Sequence, residues 1–379
     1  MVNSNQIVIF GAGKIGRSFI GQLFGCSGYE VVFIDVDPVI IARLNEKGSY
    51  RVVIKSDKDM EILVPNVRAI SALEREKVVE AVSSAGILAV SVGKNVLARI
   101  VPVIASALEK RNANDPATPL DIILAENMRS AADFVREELM KNLPSEFPVE
   151  TLVGLVETSI GKMVPIIPQA ELEKDPLVVF AEAYNTLILD AKGFKSPIPQ
   201  IKGLAPKSNI KAWVDRKAFI HNLGHATAAY YGYALHPDAV YLYEVLEDPK
   251  VLHFTREVML QSADILRAAY PDDFTAADLE VHIDDLVSRF RNKALKDTIF
   301  RVGCDLYRKL GPEDRLMAPI NAAIKLHKPF DLILKVVEAA ISFRATDEYG
   351  DHFPSDRLFF KESEKGVQYI LDTICQIGK

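Results

Sequence analysis

Lys217, His221, Asn222 and His225 fall in one stretch, K-A-F-I-H-N-L-G-H-A-T-A-A-Y-Y-G-Y-A-L-H-P, residues 217–237. An amine, a carboxamide and two imidazoles are side chains that can hold and pass a proton. From Ala218 to Pro237 no Asp, Glu, Lys or Arg occurs, in a chain that is 25% charged. A membrane span needs about 20 apolar residues, but His221, Asn222, His225 and His236 are costly in lipid. The expectation is a helix buried inside a soluble domain, apolar all round, whose polar groups must find partners. With an α-helical advance of about 100° per residue and Lys217 at zero, His221 falls near about 40°, His225 near about 80° and Asn222 near about 140°. All four share one side. A core helix with a lysine at its wet end and its His and Asn bonded to backbone would look the same, so the rest of the chain must decide.

A second constellation is G-A-G-K-I-G: Gly11, Ala12, Gly13, Lys14, Ile15 and Gly16. It follows the apolar run Ile7–Phe10 and opens a helical pattern from Arg17 to Phe24; a second apolar run, Val31–Ile34, ends at Asp35. Strand, glycine turn, helix, strand and acid in that order form the dinucleotide fingerprint. Gly11 makes the tight turn, Gly13 lets backbone approach a pyrophosphate, and Gly16 lets helix and strand pack closely. The helix start offers N–H groups to phosphate. Asp35 can accept from a ribose diol and repels a 2′-phosphate, which favours NAD over NADP.

The elements that must position these groups alternate through the first half. A hairpin is expected at 49–54 and 60–64, strands at 67–71, 87–92, 120–124 and 152–156, and helices at 74–83, 95–110 and 130–141. Strands alternating with helices imply an α/β, Rossmann-type doubly wound sheet. Ligands in such sheets sit beyond the carboxyl ends of strands, which draws attention to Ser91-Val92-Gly93, Glu126-Asn127 and Glu157-Thr158-Ser159. Turn and cap chemistry accounts for such residues equally well. The proline-richer stretch 162–208 reads as the sheet edge, with extended pieces at 177–184 and 186–189, and then a crossover. From Asn209 strand signals stop, and helical patterns follow at 209–232, 239–270, 275–290, 294–302, 314–326, 330–344 and 364–377. Thr275 and Ser363 are expected N-caps. The expected organisation is an NAD-binding domain over 1–205 and an all-helical substrate and catalytic domain over 206–379. Two basic stretches, 289–297 and 307–315, read either as anion-binding segments or as solvated helix ends.

A length of 379 residues suits two domains, and a hydrophobic content of 49% supplies their cores. A formal net charge of −6 gives no bulk attraction to nucleic acid or anionic lipid. Cys26, Cys304 and Cys375 show no C-x-x-C spacing, so neither a disulfide framework nor a structural zinc is expected. With no basic leader followed by a long apolar core at the N-terminus, a cytoplasmic location is expected.

K-x4-N-x2-H on the first helix after a nucleotide-binding half, with Lys217, Asn222 and His225 in register, resembles the polyol-specific long-chain dehydrogenase/reductase (mannitol dehydrogenase) family. The resemblance extends through G-A-G-K-I-G-R, S-V-G-K-N-V-L, A-E-N-M-R, R-F-R-N-K-A-L-K-D and R-K-L-G-P-E-D-R-L. It implies metal-independent hydride transfer between NAD and a small polyol or sugar phosphate, in a monomer or small homo-oligomer. It implies Lys217 as the acid/base, Asn222 and Asn127 as donors to the developing alkoxide, and His225 as a ligand of a neighbouring hydroxyl. Cofactor contacts are expected from the glycine turn, Asp35, Val92, Gly93 and Asn127. A free lysine near pKa 10.4 is too basic for this work; desolvation at the head of an uncharged helix would lower it. Gly161 and Lys162 depart from the Asp-Arg pair of the relatives, and the tail after Phe343 is shorter. No motif marks a phosphate site; Arg308, Lys309 and Arg315 are candidates on charge. An unphosphorylated polyol or sugar acid is the alternative substrate, and a non-catalytic NAD(H) sensor the alternative from another class.

Overall fold

The computed structural model describes residues 2–126 and 128–378. It divides into two compact units, Met1–Trp213 and Val214–Lys379.

Among its described residues the first unit contains eleven strands: β1 (Asn3–Phe10), β2 (Glu30–Asp35), β3 (Ser49–Ile54), β4 (Met60–Pro65), β5 (Val67–Ser71), β6 (Ala85–Val90), β7 (Leu120–Leu124), β8 (Val153–Ser159), β9 (Val179–Ala181), β10 (Leu187–Asp190) and β11 (Leu204–Lys207). Eight form one sheet in the order β11-β10-β8-β7-β6-β1-β2-β5. From β8 to β5 every pairing is parallel; β10 joins β8 antiparallel, and β11, parallel to β10, forms the edge. Alternate residues of the central strands enter two separate cores. Ile7, Ile9, Val31, Phe33, Ile87 and Ala89 belong to one, and Val8, Phe10, Val32, Ile34, Leu88 and Val90 to the other. A strand buried on both faces has no polar alternation, which is why these runs read as continuous apolar segments.

The expected hairpin is present as β3 and β4, but with β9 it forms a separate three-stranded sheet. The piece expected as an extended strand at 177–184 therefore shortens to three residues and pairs with β3 rather than lengthening the main sheet. Propensity announces a strand but not its partner.

The second unit contains no strand among its described residues. The pattern expected as one helix over 239–270 is two, Leu242–Val245 and Pro249–Ala269, because Asp248 caps the second and Pro249 occupies its first turn. Thr275 caps Ala276–Phe290 by accepting from the Asp278 amide. Ser363 is not a cap: it ends the helix Asp356–Ser363, and its hydroxyl donates back to the Phe360 carbonyl. A serine that can bond its own preceding turn mimics a cap in sequence. Among the described residues no helix is long and apolar enough to cross a membrane.

Candidate active site

In the first unit, the chain turns at Gly11, whose φ is +96°, a left-handed value that favours glycine. Its amide donates to the Ile34 carbonyl at 2.8 Å, tying the turn to the end of β2. A Cβ on Gly11 would lie 2.5 Å from the Ser91 carbonyl oxygen, and one on Gly16 would lie 1.9 Å from the Gly11 carbonyl oxygen. A Cβ on Gly13 would meet nothing within 4 Å. Two glycines are thus required by the protein's own packing, while the third faces open space, as the backbone approach of a pyrophosphate needs. Lys14 is exposed and Ile15 half-buried. Asp35 Oδ2 accepts the Ala12 amide at 2.6 Å, and Oδ1 accepts those of Val36 and Asp37 at 2.7 and 3.0 Å. A carboxylate has about four acceptor positions, so these three bonds aim Asp35 and leave it capacity for a ribose hydroxyl. The residues present fit a dinucleotide.

Val92 and Gly93 lie at the end of β6 with both amides donating to the buried Glu126 Oε1, at 2.8 and 3.1 Å. Burial pushes the Glu126 carboxyl up, opposed by those two bonds. Glu126, legible in the sequence only as a polar residue after a strand, fixes this loop. Asn127 lies outside the described residues.

In the second unit, Lys217–Asn222 is a π-helical turn set between the α-helices Ile210–Arg216 and Leu223–Leu235. The Leu223 amide donates to the Ala218 carbonyl, five residues back. Such single wide turns inside α-helices recur at functional sites. The angles expected for a regular α-helix therefore need correcting. A π turn advances less per residue than an α-helix, so Asn222 falls nearer the side of Lys217 than regular helical angles give.

Burial lowers the Lys217 ammonium to about 8, helped by the Arg315 charge and opposed by Asp314. Its surface is half-buried: solvent touches it, but the surrounding protein desolvates it. The Asn222 carboxamide is partly open and has no hydrogen-bond partner among the described residues. His221 and His225 are both driven well below the usual histidine range, first by burial and then by neighbouring cations: Arg289 is the first of these for His221, Arg301 for His225. Both imidazoles are therefore neutral at physiological pH.

Phe290 stacks on His225, with ring centroids 4.8 Å apart and planes 15° apart, and also lies against His221 at 5.6 Å. Asp297 Oδ2 is 3.1 Å from His225 Nε2, yet that nitrogen has no aligned hydrogen bond. With His225 neutral, the contact is not an ion pair; Asp297 instead pairs with Arg301. The basic stretch 289–297, read as either an anion-binding segment or a solvated helix end, thus contributes Phe290 and Asp297 around His225. Nothing in its charge-rich composition marks the phenylalanine as the ring that fixes the imidazole.

The three phosphate candidates separate. Lys309 is buried, donates to the Val302 carbonyl at 2.7 Å, and is lowered by burial to about 7. Arg308 pairs with Asp305 and Asp314. Arg315 pairs through Nε with Asp314 at 2.8 Å. Lys162, where the relatives' Asp-Arg pair was expected, is buried and bonded to the side-chain oxygens of Gln22 (3.2 Å) and Asn185 (2.7 Å).

A glycine turn with an acid closing the next strand, together with a lysine lowered toward neutrality beside an open carboxamide and neutral imidazoles, defines a nicotinamide-dependent dehydrogenase. Residues 5–203 match the mannitol dehydrogenase Rossmann domain, and residues 209–372 the mannitol dehydrogenase C-terminal domain. The chain belongs to the mannitol dehydrogenase family and is an NAD-dependent oxidoreductase of polyols. Its fold is similar to that of Pseudomonas fluorescens mannitol 2-dehydrogenase in ternary complex with NAD and D-mannitol. That match has 15% identity and a TM-score of 0.75, and covers 97% of this chain and 86% of the other. It is also similar to D-sorbitol dehydrogenase in substrate-free form, again with 15% identity and a TM-score of 0.75, covering 93% of this chain and 86% of that one.

Proposed function

We propose that the chain interconverts D-mannitol 1-phosphate and D-fructose 6-phosphate with NAD, and that Lys217 is the acid/base. The observation that carries the chemistry is a lysine lowered to about 8 on the same π turn as an asparagine that is partly open. Neutral Lys217 takes the hydroxyl proton during alcohol oxidation and, as the ammonium, returns it during ketone reduction. Asn222 donates to the oxygen as it gains negative charge, with Asn127 assigned the same task. His225, held neutral with an unbonded Nε2 and fixed by Phe290, orients an adjacent hydroxyl. Gly11, Gly13, Gly16 and Asp35 would hold NAD, with Val92 and Gly93 forming the loop beside it. NAD, when bound, supplies the hydride acceptor in oxidation and, reduced, the donor in the reverse direction.

The phosphorylated substrate is supported by the extended motif resemblance, R-K-L-G-P-E-D-R-L included. The second reading, an unphosphorylated polyol, is favoured by the family's namesake substrate. Purified protein with NADH is followed by absorbance with fructose 6-phosphate, fructose, fructuronate and tagaturonate in turn. Oxidation of NADH with fructose 6-phosphate alone supports the proposal. Turnover with an unphosphorylated ketose or keto-acid alone keeps Lys217 and discards the phosphate. NADH binding without turnover of any of them moves the reading to a sensor.

A further inference from the structure

We propose that Arg315 is the residue that recognises a phosphate monoester on the substrate, through the two terminal amino groups of its guanidinium. This rests on the reading that a phosphorylated polyol or ketose reacts at Lys217.

Arg315 lies in the loop between the helices Leu306–Lys309 and Met317–Leu326. The loop is pinned from within. The Gly311 amide donates to the Arg308 carbonyl (3.0 Å), the Asp314 amide to the Gly311 carbonyl (3.1 Å), and Asn321 Nδ2 to the Pro312 carbonyl (3.1 Å). The Asp314 carboxylate takes the Arg315 amide at 2.7 Å, Arg315 Nε at 2.8 Å and one Arg308 amino group at 3.2 Å. The guanidinium is therefore fixed by one edge. Its two terminal amino groups, four of its five N–H donors, find no acceptor among the described residues, although the side chain is only 12% exposed. These amino groups are not among the buried atoms left without a partner, so solvent, and with it a ligand, can reach them. A planar fork held by one edge with the other free is suited to bidentate pairing with phosphate oxygens.

The other two basic candidates offer no enclosed fork held by one edge. Lys309 Nζ lies on the Val302 carbonyl, and Arg308, 51% exposed, divides itself between Asp305 and Asp314. Placement supports the assignment as well. The helix Met317–Leu326, which Arg315 introduces, packs against the turn Lys217–Asn222. The Arg315 charge also acts on Lys217 and on His225. A phosphate on this fork would hold one end of a short carbon chain while another carbon lies at Lys217.

The test compares wild type, Arg315→Ala and Arg315→Lys by kcat/KM for fructose 6-phosphate and for fructose. It adds inhibition by inorganic phosphate and the Kd for NADH. Arg315→Ala should lose about 50-fold in kcat/KM for fructose 6-phosphate, as expected for charge-assisted bonds. The loss for fructose should be several-fold smaller, inhibition by phosphate should weaken in parallel, and Arg315→Lys should recover only part. An equal loss on both ketoses, or none on fructose 6-phosphate, overturns the proposal. So does a loss confined to NADH affinity, which would place the nucleotide's phosphates on this fork. If wild type turns over no sugar phosphate, the proposed reaction has failed and calorimetry with inorganic phosphate decides separately. Binding that disappears in Arg315→Ala keeps the anion site, and no binding to wild type overturns it.

Discussion

The two units place their chemistry on the same backbone irregularity and use it in opposite ways. Gly16–Gly21 and Lys217–Asn222 are both π-helical turns of six residues. In the first, every residue is buried and the ends are glycines. A Cβ on Gly21 would lie 2.9 Å from the Gly16 carbonyl oxygen and 2.5 Å from the Tyr50 hydroxyl, so this turn exists because side chains are missing from it. The buried Arg17 points inward, its guanidinium donating to the Ala12 and Leu177 carbonyls at 2.6 Å. The second turn, K-A-F-I-H-N, contains no glycine. Its Phe219, Ile220 and His221 are buried, while Lys217 and Asn222 stay partly open. One turn packs backbone tightly inside the protein; the other leaves functional groups partly open. Substitutions should therefore fail differently: by shape in the first unit, by chemistry in the second.

The largest effect is expected at Lys217. Lys217→Ala removes the acid/base and should cost about 10³-fold in kcat, while the Kd for NADH stays within about twofold of wild type, a change below 1 kcal/mol. A comparable loss of NADH affinity would mean that the second turn also shapes the cofactor site, and the contrast would collapse.

In the first unit the two informative substitutions are Gly16→Ala and Gly13→Ala. The first sets a methyl 1.9 Å from a backbone oxygen and should destabilise by about 1–3 kcal/mol, as overpacking does, together with loss of NADH binding. The second meets no protein atom within 4 Å. Gly13→Ala should melt like wild type and yet bind NADH about tenfold more weakly, near 1.4 kcal/mol. Wild-type affinity in Gly13→Ala would move the pyrophosphate elsewhere.

The contrast also explains what could be read from the chain. The parallel sheet was legible because strands buried on both faces leave continuous apolar runs, and the packing roles of Gly11 and Gly16 because each has one steric cause. The second turn was legible as a place, from its missing charge and from the spacing of Lys217, Asn222 and His225. It was not legible as a geometry, since no residue in K-A-F-I-H-N announces a π turn and regular helical angles misplace Asn222. Phe290, Asp297 and Glu126 escaped because their partners are distant in sequence. Each is a long-range contact whose residue type has a bland local explanation.

The Lys217 environment gives a signed pH dependence. Alcohol oxidation needs the neutral amine, so its rate should rise with pH through an apparent value of about 8; ketone reduction needs the ammonium and should fall through the same value. For stability, the folded value of about 8 lies below the ordinary 10.5. Between the two the unfolded chain holds a proton that the folded chain has released, so stability rises with pH across that window. Below about 8 the ammonium's desolvation weighs in full. Lys217→Met should accordingly raise Tm at pH 7, and the gain should vanish above the upper value. A Tm gain that is flat with pH would assign the effect to packing rather than charge.

The smallest effect tests the first unit at Asp35, a side chain expected to meet the cofactor. Asp35 has two proposed roles: it accepts three backbone amides at 2.6 to 3.0 Å, and in the proposed NAD site it would repel a 2′-phosphate. Asp35→Asn keeps the shape and removes the charge, but one oxygen becomes an NH2 group that cannot accept. In one orientation it faces the Ala12 amide; in the other it faces those of Val36 and Asp37. The orientation that gives up only Ala12 should prevail, costing about 1 kcal/mol for the lost bond. The NADPH/NADH preference should rise by about tenfold, near 1.4 kcal/mol, as the repulsion disappears. Melting and nucleotide preference, measured on the same variant, separate the two roles. A fall in Tm with unchanged preference would make Asp35 another device for shaping backbone, and the first unit would then recognise its nucleotide by form alone. A changed preference with unchanged Tm would show that even here one side chain acts directly on the ligand, as Lys217 does in the second.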